Sequence, residues 1–135
     1  MSKSNLEIVQ AAYKALGSGD IDGFVGAMAP DIAWNEAENN TLADGNPYTG
    51  PQAVMDGVFA RLGEQYDDFG VTPERWVAEG DQVVMCGRYS GRSKATNSTV
   101  NPQIVHWWTL RDGKLAAFQQ YADTLALARG LGELE

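Results

Sequence analysis

Apolar residues recur at helical spacing in the first half of the chain and at alternate positions in most of the remainder. Up to about residue 63 the pattern predicts three helices. The first is capped by Ser4 and ends at Gly17, and the second is capped by Asp20 and stops near Pro30. Pro51 suits the first turn of the third helix, where its missing N–H costs nothing.

Four later segments alternate apolar and polar residues, as strands with one buried face do. They are residues 71–78, 83–92, 100–111 and 114–122. Their connections are short, and Asp112-Gly113 is a strong hairpin signal, so the pattern predicts an antiparallel meander. Helices first and strands last indicate one α+β domain over residues 1–135, in which a curved sheet packs on three helices around one open-ended pocket.

Two further segments border that pocket in this interpretation. The polar residues 37–49 form a loop that can act as a lid, and the leucines and alanines after Leu125 predict a short C-terminal helix near the mouth.

His106 is the single histidine of the chain, and it lies in the longest strand pattern. Ile104, His106 and Trp108 share one face of that strand because side chains alternate with period two. An imidazole among apolar neighbours is a candidate acid–base group, although in an arbitrary protein it is more often a core histidine with one hydrogen bond.

The composition of the chain argues against several classes of binding partner. The 18 acidic and 10 basic residues give a formal charge of -8, which repels nucleic acid. No apolar run reaches the roughly 20 residues that a membrane span needs. Cys86 is the only cysteine and no signal peptide precedes the first helix, so we expect a cytoplasmic protein with no disulfide. Neither a metal-ligand pattern nor a phosphate-binding glycine loop is present, so we expect no metal and no cofactor.

Several short motifs, in order, resemble those of one known family. The chain is similar to the SnoaL-like polyketide cyclases, which belong to the larger group resembling nuclear transport factor two and ketosteroid isomerase. The resemblance rests on these segments: Tyr13 with Gly19-Asp20, residues 31–34, Gly50-Pro51, residues 79–81, residues 87–92, His106 ahead of residues 112–114, and Tyr121 with Asp123.

The resemblance implies a cone-shaped, curved antiparallel sheet closed by three helices, usually dimeric. It also implies functions that range from cyclases and isomerases to binding modules. In the cyclases a pocket histidine and an aspartate handle protons, and His106 and Asp123 are the matching positions. The alternative for Asp123 is a helix cap ahead of the final helix.

Glu36 is a second candidate base. It falls where the isomerases of this fold keep their carboxylate, and a carboxylate beside Trp34 in a dry pocket would have a raised pKa. The alternative is a solvated glutamate at the edge of the loop. Tyr13 is one residue out of register with the oxyanion tyrosine of those isomerases, and the sequence interpretation assigns it to the core.

The predicted pocket wall is aromatic and apolar, which suits a small, flat, mainly apolar ligand. The predicted ligand-binding residues are Trp34, Phe59, Met85, Tyr89, Trp108, Phe118 and Tyr121. The resulting hypothesis is a cofactor-free proton transfer next to a carbonyl, with Asp123 or Glu36 as base and His106 as donor. The alternative is a binding module without catalysis.

Val105 and Trp107 are apolar residues on the otherwise polar face of the His106 strand. Two exposed apolar side chains of this size favour a homodimer through the outer face of the sheet.

Overall fold

The computed structural model describes residues 3–134. The chain begins with two helices, α1 (Asn5–Gly17) and α2 (Ile21–Gly26). The Ser4 hydroxyl accepts the Glu7 N–H while the Glu7 carboxylate accepts the Ser4 N–H, so the start of α1 is satisfied from both sides. Asp20 caps α2 through the N–H of Gly23. Both predicted caps are confirmed.

The third predicted helix is continuous over residues 51–65 but changes pitch along its length. It consists of α3 (Pro51–Val54), a π-helical turn (Met55–Phe59) and α4 (Ala60–Gln65). A π turn inserts one extra residue into the helix and rotates the side chains that follow it. Within this turn Val58 is part of the hydrophobic core, and Phe59 packs against that core. The predicted C-terminal helix is α5 (Thr124–Gly130).

The strands form a single seven-stranded sheet, in the order β2-β1-β7-β6-β4-β3, with β5 pairing with β4. The strands are β1 (Met28–Asn35), β2 (Tyr48–Thr49), β3 (Tyr66–Glu79), β4 (Gln82–Ser93), β5 (Thr99–Val100), β6 (Gln103–Arg111) and β7 (Lys114–Ala122). The predicted antiparallel meander is confirmed, and so is the α+β class with helices packed on a curved sheet.

Three details differ from the sequence interpretation. Strand β1 pairs parallel with β7, so the sheet is not purely antiparallel. Strand β3 begins at Tyr66 rather than at residue 71. The segment 100–111 is broken because Pro102 has no N–H to donate to a ladder, although its carbonyl accepts the N–H of Tyr89 at 3.2 Å.

Alternation along β4 and β6 decides which side chains face the helices. Met85, Tyr89, Ile104, His106 and Trp108 are buried between sheet and helices. Trp107 points the opposite way and is 45% exposed. The hairpin between β6 and β7 turns at Asp112-Gly113, both with positive φ, as predicted. The inward orientation of His106 is therefore confirmed.

Within residues 3–134 no helix is long and apolar enough to cross a membrane. The cytoplasmic location stays a prediction.

Candidate functional site

A cavity lies between the helices and the inner face of the sheet, and His106 is at its floor. Its walls come from the helices α1 and α2 and the helix over residues 51–65, from the strands β1, β3, β4, β6 and β7, and from Glu36, residues 39–42 and the C-terminal segment. The cavity is narrow, since the centre of a water molecule can occupy only about 50 Å³ of it. Aromatic and aliphatic side chains form most of its surface, so each polar group inside has a large influence on what can bind.

The imidazole of His106 is held between two tyrosine hydroxyls. Its Nδ1 lies 2.5 Å from the Tyr13 hydroxyl, and its Nε2 lies 2.7 Å from the Tyr89 hydroxyl. Tyr13 comes from α1 and Tyr89 from β4, so helix and sheet clamp the ring from opposite sides. Both ring nitrogens have a partner, and the ring cannot rotate without losing one of them.

Each tyrosine oxygen also accepts a hydrogen bond from an N–H group. The Trp108 indole donates to the Tyr13 hydroxyl at 2.9 Å, and the Gln120 amide donates to the Tyr89 hydroxyl at 2.6 Å. The carbonyl oxygen of Gln120 accepts from the backbone of Ala37 and from the side chain of Asn40. The His106 imidazole and its two tyrosine partners, Tyr13 and Tyr89, are called the YHY array below.

Burial keeps the YHY array uncharged near neutral pH. Removal from water lowers the pKa of His106 from 6.5 to about 3, because the imidazolium would lose its hydration. The same cause raises the pKa of Tyr13 and that of Tyr89 well above the usual 10, and the charge of Glu36 raises the latter further. Neither tyrosine ionises near neutral pH, and His106 remains a neutral imidazole.

Glu36 is a buried carboxyl group in the wall of the cavity. It follows β1, it is 3% exposed, and its Oε2 accepts the Trp34 indole N–H at 3.0 Å. The Asn46 side chain accepts the backbone N–H of Glu36 at 2.9 Å and donates to the backbone carbonyl of Glu36 at 2.8 Å, which fixes the main chain there. Burial raises the pKa of Glu36 from 4.5 to about 7, and the Trp34 hydrogen bond offsets part of that rise. Near neutral pH this group can therefore both accept and release a proton.

The mouth of the cavity is bordered by residues 39–42 and by the C-terminal segment. Residues 41–45 form a 3₁₀ turn, and Arg61 holds that turn through Asp44 at 2.7 Å. The Thr41 hydroxyl donates to the Glu133 carboxylate, which joins the two sides of the mouth. The predicted lid loop thus borders the cavity and is held by specific contacts.

The model of the SnoaL-like domain matches residues 9–118, which is most of the sequence. The chain belongs to the SnoaL-like family. No curated protein matches the sequence.

Solved structures agree on the fold of this SnoaL-like chain. An NTF2-like protein of Burkholderia thailandensis is 29% identical, covers 96% of this chain and 98% of its own, and superposes with a TM-score of 0.91. An NTF2-like protein of Burkholderia xenovorans is 32% identical over 94% and 95% of the two chains, with a TM-score of 0.80. TerC, which was co-crystallised with polyporic acid, is 26% identical over 95% and 98%, with a TM-score of 0.83.

The prediction that Asp123 faces the cavity of this SnoaL-like fold is wrong. Asp123 is exposed, its side chain caps α5 by accepting the N–H of Ala126, and it is not among the cavity walls. Tyr121 is also outside, at 53% exposure. The physical reason is alternation: Phe118 and Gln120 point inward on β7, so Tyr121 and Asp123 point outward.

The other predicted wall residues divide into two groups. Trp34, Phe59, Tyr89 and Trp108 line the cavity. Met85 and Phe118 are buried but do not reach it, which corrects their assignment. Phe118 packs behind the cavity instead, with its ring 4.8 Å from that of His106 and 3.9 Å from that of Trp34.

Two site residues were missed by sequence reasoning. Tyr13 is buried, as its assignment to the core requires, but it also lines the cavity, and its hydroxyl contacts His106. Gln120 is a buried amide on the inner face of β7. The available signal for Gln120 was its position two residues after Phe118 on the same strand face. In residues 3–134, no cluster of three or more His, Cys, Asp or Glu side chains is arranged to hold a metal ion.

Proposed function

We propose that the chain binds a small, mainly apolar carbonyl compound in this cavity and moves a proton at the carbon next to the carbonyl, without a cofactor. The observation that carries this proposal is the pairing of a buried carboxyl group, Glu36, with an uncharged hydroxyl and imidazole array in one apolar cavity. Such a pairing supplies a base for a C–H bond and a donor for the oxygen that gains charge.

In the proposed reaction the Glu36 carboxylate removes the proton from carbon, and the electron pair of that C–H bond moves into the carbonyl to give an enolate. A tyrosine hydroxyl of the YHY array donates a hydrogen bond to the enolate oxygen. Glu36, now protonated, returns the proton to the same carbon or to a neighbouring one, which gives exchange or isomerisation. His106 does not contact the ligand in this scheme, because both of its ring nitrogens are bound to tyrosines.

The assignment of the base to Glu36 replaces the alternative of Asp123. The narrow cavity favours ligands with one aromatic ring as first probes, and acetophenone combines such a ring with an enolisable ketone. The co-crystallisation of the related TerC with polyporic acid supports a small organic ligand for this chain as well.

The first test is hydrogen exchange at the acetophenone methyl group in deuterated buffer, followed by NMR. We expect the wild-type chain to accelerate exchange and Asp123→Asn to match it within about twofold, because asparagine also caps helices and the side chain lies outside the cavity. A large loss of exchange in Asp123→Asn, with α5 still folded by circular dichroism, would return the base to Asp123.

A binding module is the second candidate. It is favoured by the complete internal pairing of the His106 ring, which lets the array orient a ligand without transferring a proton. The two functions are separated by measuring saturable quenching of tryptophan fluorescence and exchange on the same ligand. Tight binding with no acceleration of exchange, for several enolisable ketones, would identify a binding module.

We also propose that a second copy of this chain covers the outer face of the sheet. Two rows of apolar residues cross neighbouring strands there. One row contains Val77, Val84 and Trp107, and the other contains Cys86, Val105 and Tyr121. Val77, Trp107 and Tyr121 are 64%, 45% and 53% exposed in the single chain. A two-fold symmetric dimer would remove both rows from water.

The dimer proposal predicts the effect of a charge at the centre of that face. We expect Trp107→Glu to weaken dimerisation at least about thirtyfold, since buried interface tryptophans commonly contribute 2 kcal/mol or more. Trp107→Tyr is the matched control and should remain a dimer. Sedimentation velocity at micromolar concentration checks both, and a wild-type monomer under those conditions would contradict the proposal.

A further inference from the structure

The direction of two hydrogen bonds in the YHY array is fixed by chemistry alone. The Trp108 indole nitrogen can only donate, so the Tyr13 oxygen accepts there. Gln120 uses its carbonyl oxygen to accept from the backbone N–H of Ala37, so its NH₂ group is the one that meets the Tyr89 oxygen. Both hydroxyl oxygens therefore already accept one hydrogen bond before His106 is considered.

The array contains one hydrogen more than its two internal contacts use. A neutral imidazole carries one N–H, and the two tyrosines carry one hydroxyl hydrogen each, which makes three hydrogens. Only two contacts use them, Tyr13 with Nδ1 and Tyr89 with Nε2. One hydrogen is left over. It is always a tyrosine hydroxyl hydrogen, because the histidine N–H points at a tyrosine oxygen in either tautomer.

The tautomer of His106 decides which tyrosine holds the free hydrogen. If Nε2 is protonated it donates to Tyr89, Tyr13 donates to Nδ1, and the Tyr89 hydrogen is free. If Nδ1 is protonated the roles are exchanged and the Tyr13 hydrogen is free. Both tyrosines line the cavity, and among residues 3–134 neither hydroxyl has an acceptor other than His106 within hydrogen-bond distance.

The charged and titratable surroundings do not change this count. Glu36 is the carboxyl group that shares the cavity interior with the array, and its Oε2 accepts from Trp34 rather than from a tyrosine. Glu133 lines the mouth and is bound by Thr41. A ligand that reaches the array therefore meets one hydroxyl hydrogen in apolar surroundings, and leaving it unpaired there costs more than in water.

We propose that the YHY array presents a single hydroxyl hydrogen to the cavity, so that the ligand atom meeting it is an acceptor oxygen such as a ketone carbonyl, and that this ligand selects one tautomer of His106. The ligand class rests on the proposed function, whereas the single free hydrogen rests on the hydrogen-bond geometry and on an uncharged His106 ring. The array thus distinguishes ketones from apolar compounds of the same shape.

The first experiment compares acetophenone with α-methylstyrene, in which a CH₂ group replaces the carbonyl oxygen. Tryptophan fluorescence gives both dissociation constants. We expect the wild-type chain to prefer acetophenone about tenfold, the usual size of one hydrogen bond that would otherwise be left unmade. Tyr13→Phe and Tyr89→Phe should each keep a preference, because the remaining tyrosine can still donate, and the double variant should lose it.

Each alternative outcome contradicts a part of the proposal. Equal affinities in the wild type would show that the array is not the donor, and a preference that survives in the double variant would show that neither tyrosine hydroxyl is the donor. Loss of the preference in one single variant alone would show that the free hydrogen is fixed on that tyrosine and that the tautomers do not exchange roles.

A second experiment uses the wild-type chain and does not depend on whether the variants fold. His106 is the only histidine in the sequence, so ¹⁵N-histidine labelling gives ring signals from one residue. Near neutral pH we expect one protonated and one unprotonated ring nitrogen, and acetophenone but not α-methylstyrene should shift the signals toward a single tautomer. A ring with two N–H groups, or an identical response to both ligands, would overturn the inference.

These readouts are independent of catalysis. If no ketone undergoes exchange but the preference and the tautomer shift are present, the proton-transfer function fails and the inference holds. If neither compound binds, the proposed ligand class fails, and the ring signals of the free protein still decide whether one hydrogen or two are left over.

Discussion

Glu36→Gln is expected to lower the rate of ketone hydrogen exchange at least about a hundredfold, the lower range for loss of a positioned general base. Glutamine keeps the size of the side chain, and its carbonyl oxygen can still accept the Trp34 N–H that Glu36 Oε2 accepts at 3.0 Å. The substitution therefore removes the basic group while retaining the cavity wall, and acetophenone binding should change little.

The pH dependence of the wild-type rate gives the same assignment independently. Burial raises the pKa of Glu36 to about 7, so the fraction of active carboxylate should increase through neutral pH. We expect kcat/KM for exchange to be half-maximal near pH 7 and to level off above it, since this quantity reports groups of the free enzyme. The His106 imidazole is already neutral throughout this range, because burial lowers its pKa to about 3.

The matched control is Glu38→Gln, a substitution of the neighbouring acid, which is exposed and does not line the cavity. It should keep the wild-type rate and the wild-type pH profile. Equal loss of rate in both variants would mean that the effect comes from the net charge of the segment and not from a base at Glu36.

Local pattern was sufficient for most of the fold and for one side of the site. The Ser4 and Asp20 caps, the Asp112-Gly113 hairpin and the inward direction of His106 all depend on residues within one or two turns or on strand alternation. Such signals are local in the chain and act through backbone chemistry, so they can be read without the tertiary structure.

The rest of the site depends on contacts that no local pattern specifies. Tyr13 and His106 are 93 residues apart, and their hydrogen bond depends on how α1 is rotated about its axis against the sheet. One residue on a helix corresponds to about 100°, so a small uncertainty in register separates a core residue from a site residue. Side-chain packing over the whole core sets that rotation.

The error at Asp123 has a different cause. A motif of the resembling family placed the carboxylate beside His106, whereas alternation along β7 counted from Phe118 places Gln120 inward and Asp123 outward. The local alternative, an N-cap for α5, was the correct one. For Asp123, the strand register counted from the large buried Phe118 gave the correct orientation, and the role implied by the family resemblance did not.

The largest stability effects are expected from the two buried ionisable groups, and they have opposite signs. The folded-state pKa of His106 is about 3, below its ordinary 6.5, so the unfolded chain binds a proton that the folded chain does not. The part of the folding stability that depends on a neutral His106 is complete above pH 6.5 and is lost as the pH falls toward 3. The pKa of Glu36 is raised from 4.5 to about 7, so its burial costs least at acidic pH, and stability is lost as the pH rises through 7.

Between about pH 7.5 and pH 4, each of these two shifts is worth about 3 kcal/mol of unfolding free energy, in opposite directions. In the wild-type chain they nearly cancel. We expect His106→Gln to remove the loss of stability that His106 causes at acidic pH. On acidification over this range, the variant should therefore gain about 3 kcal/mol of unfolding free energy relative to the wild type. Glu36→Gln should become less stable by a similar amount, and the double variant should follow the wild type again.

Urea unfolding followed by circular dichroism at each pH measures these differences, and it does so without knowledge of any ligand. The comparison uses changes with pH, so a constant loss caused by broken hydrogen bonds to Tyr13 or Tyr89 cancels. The other carboxylates titrate in all four proteins and cancel as well. If His106→Gln and the wild type changed in parallel with pH, His106 would titrate alike in the folded and unfolded chains, and the neutral YHY array would be wrong.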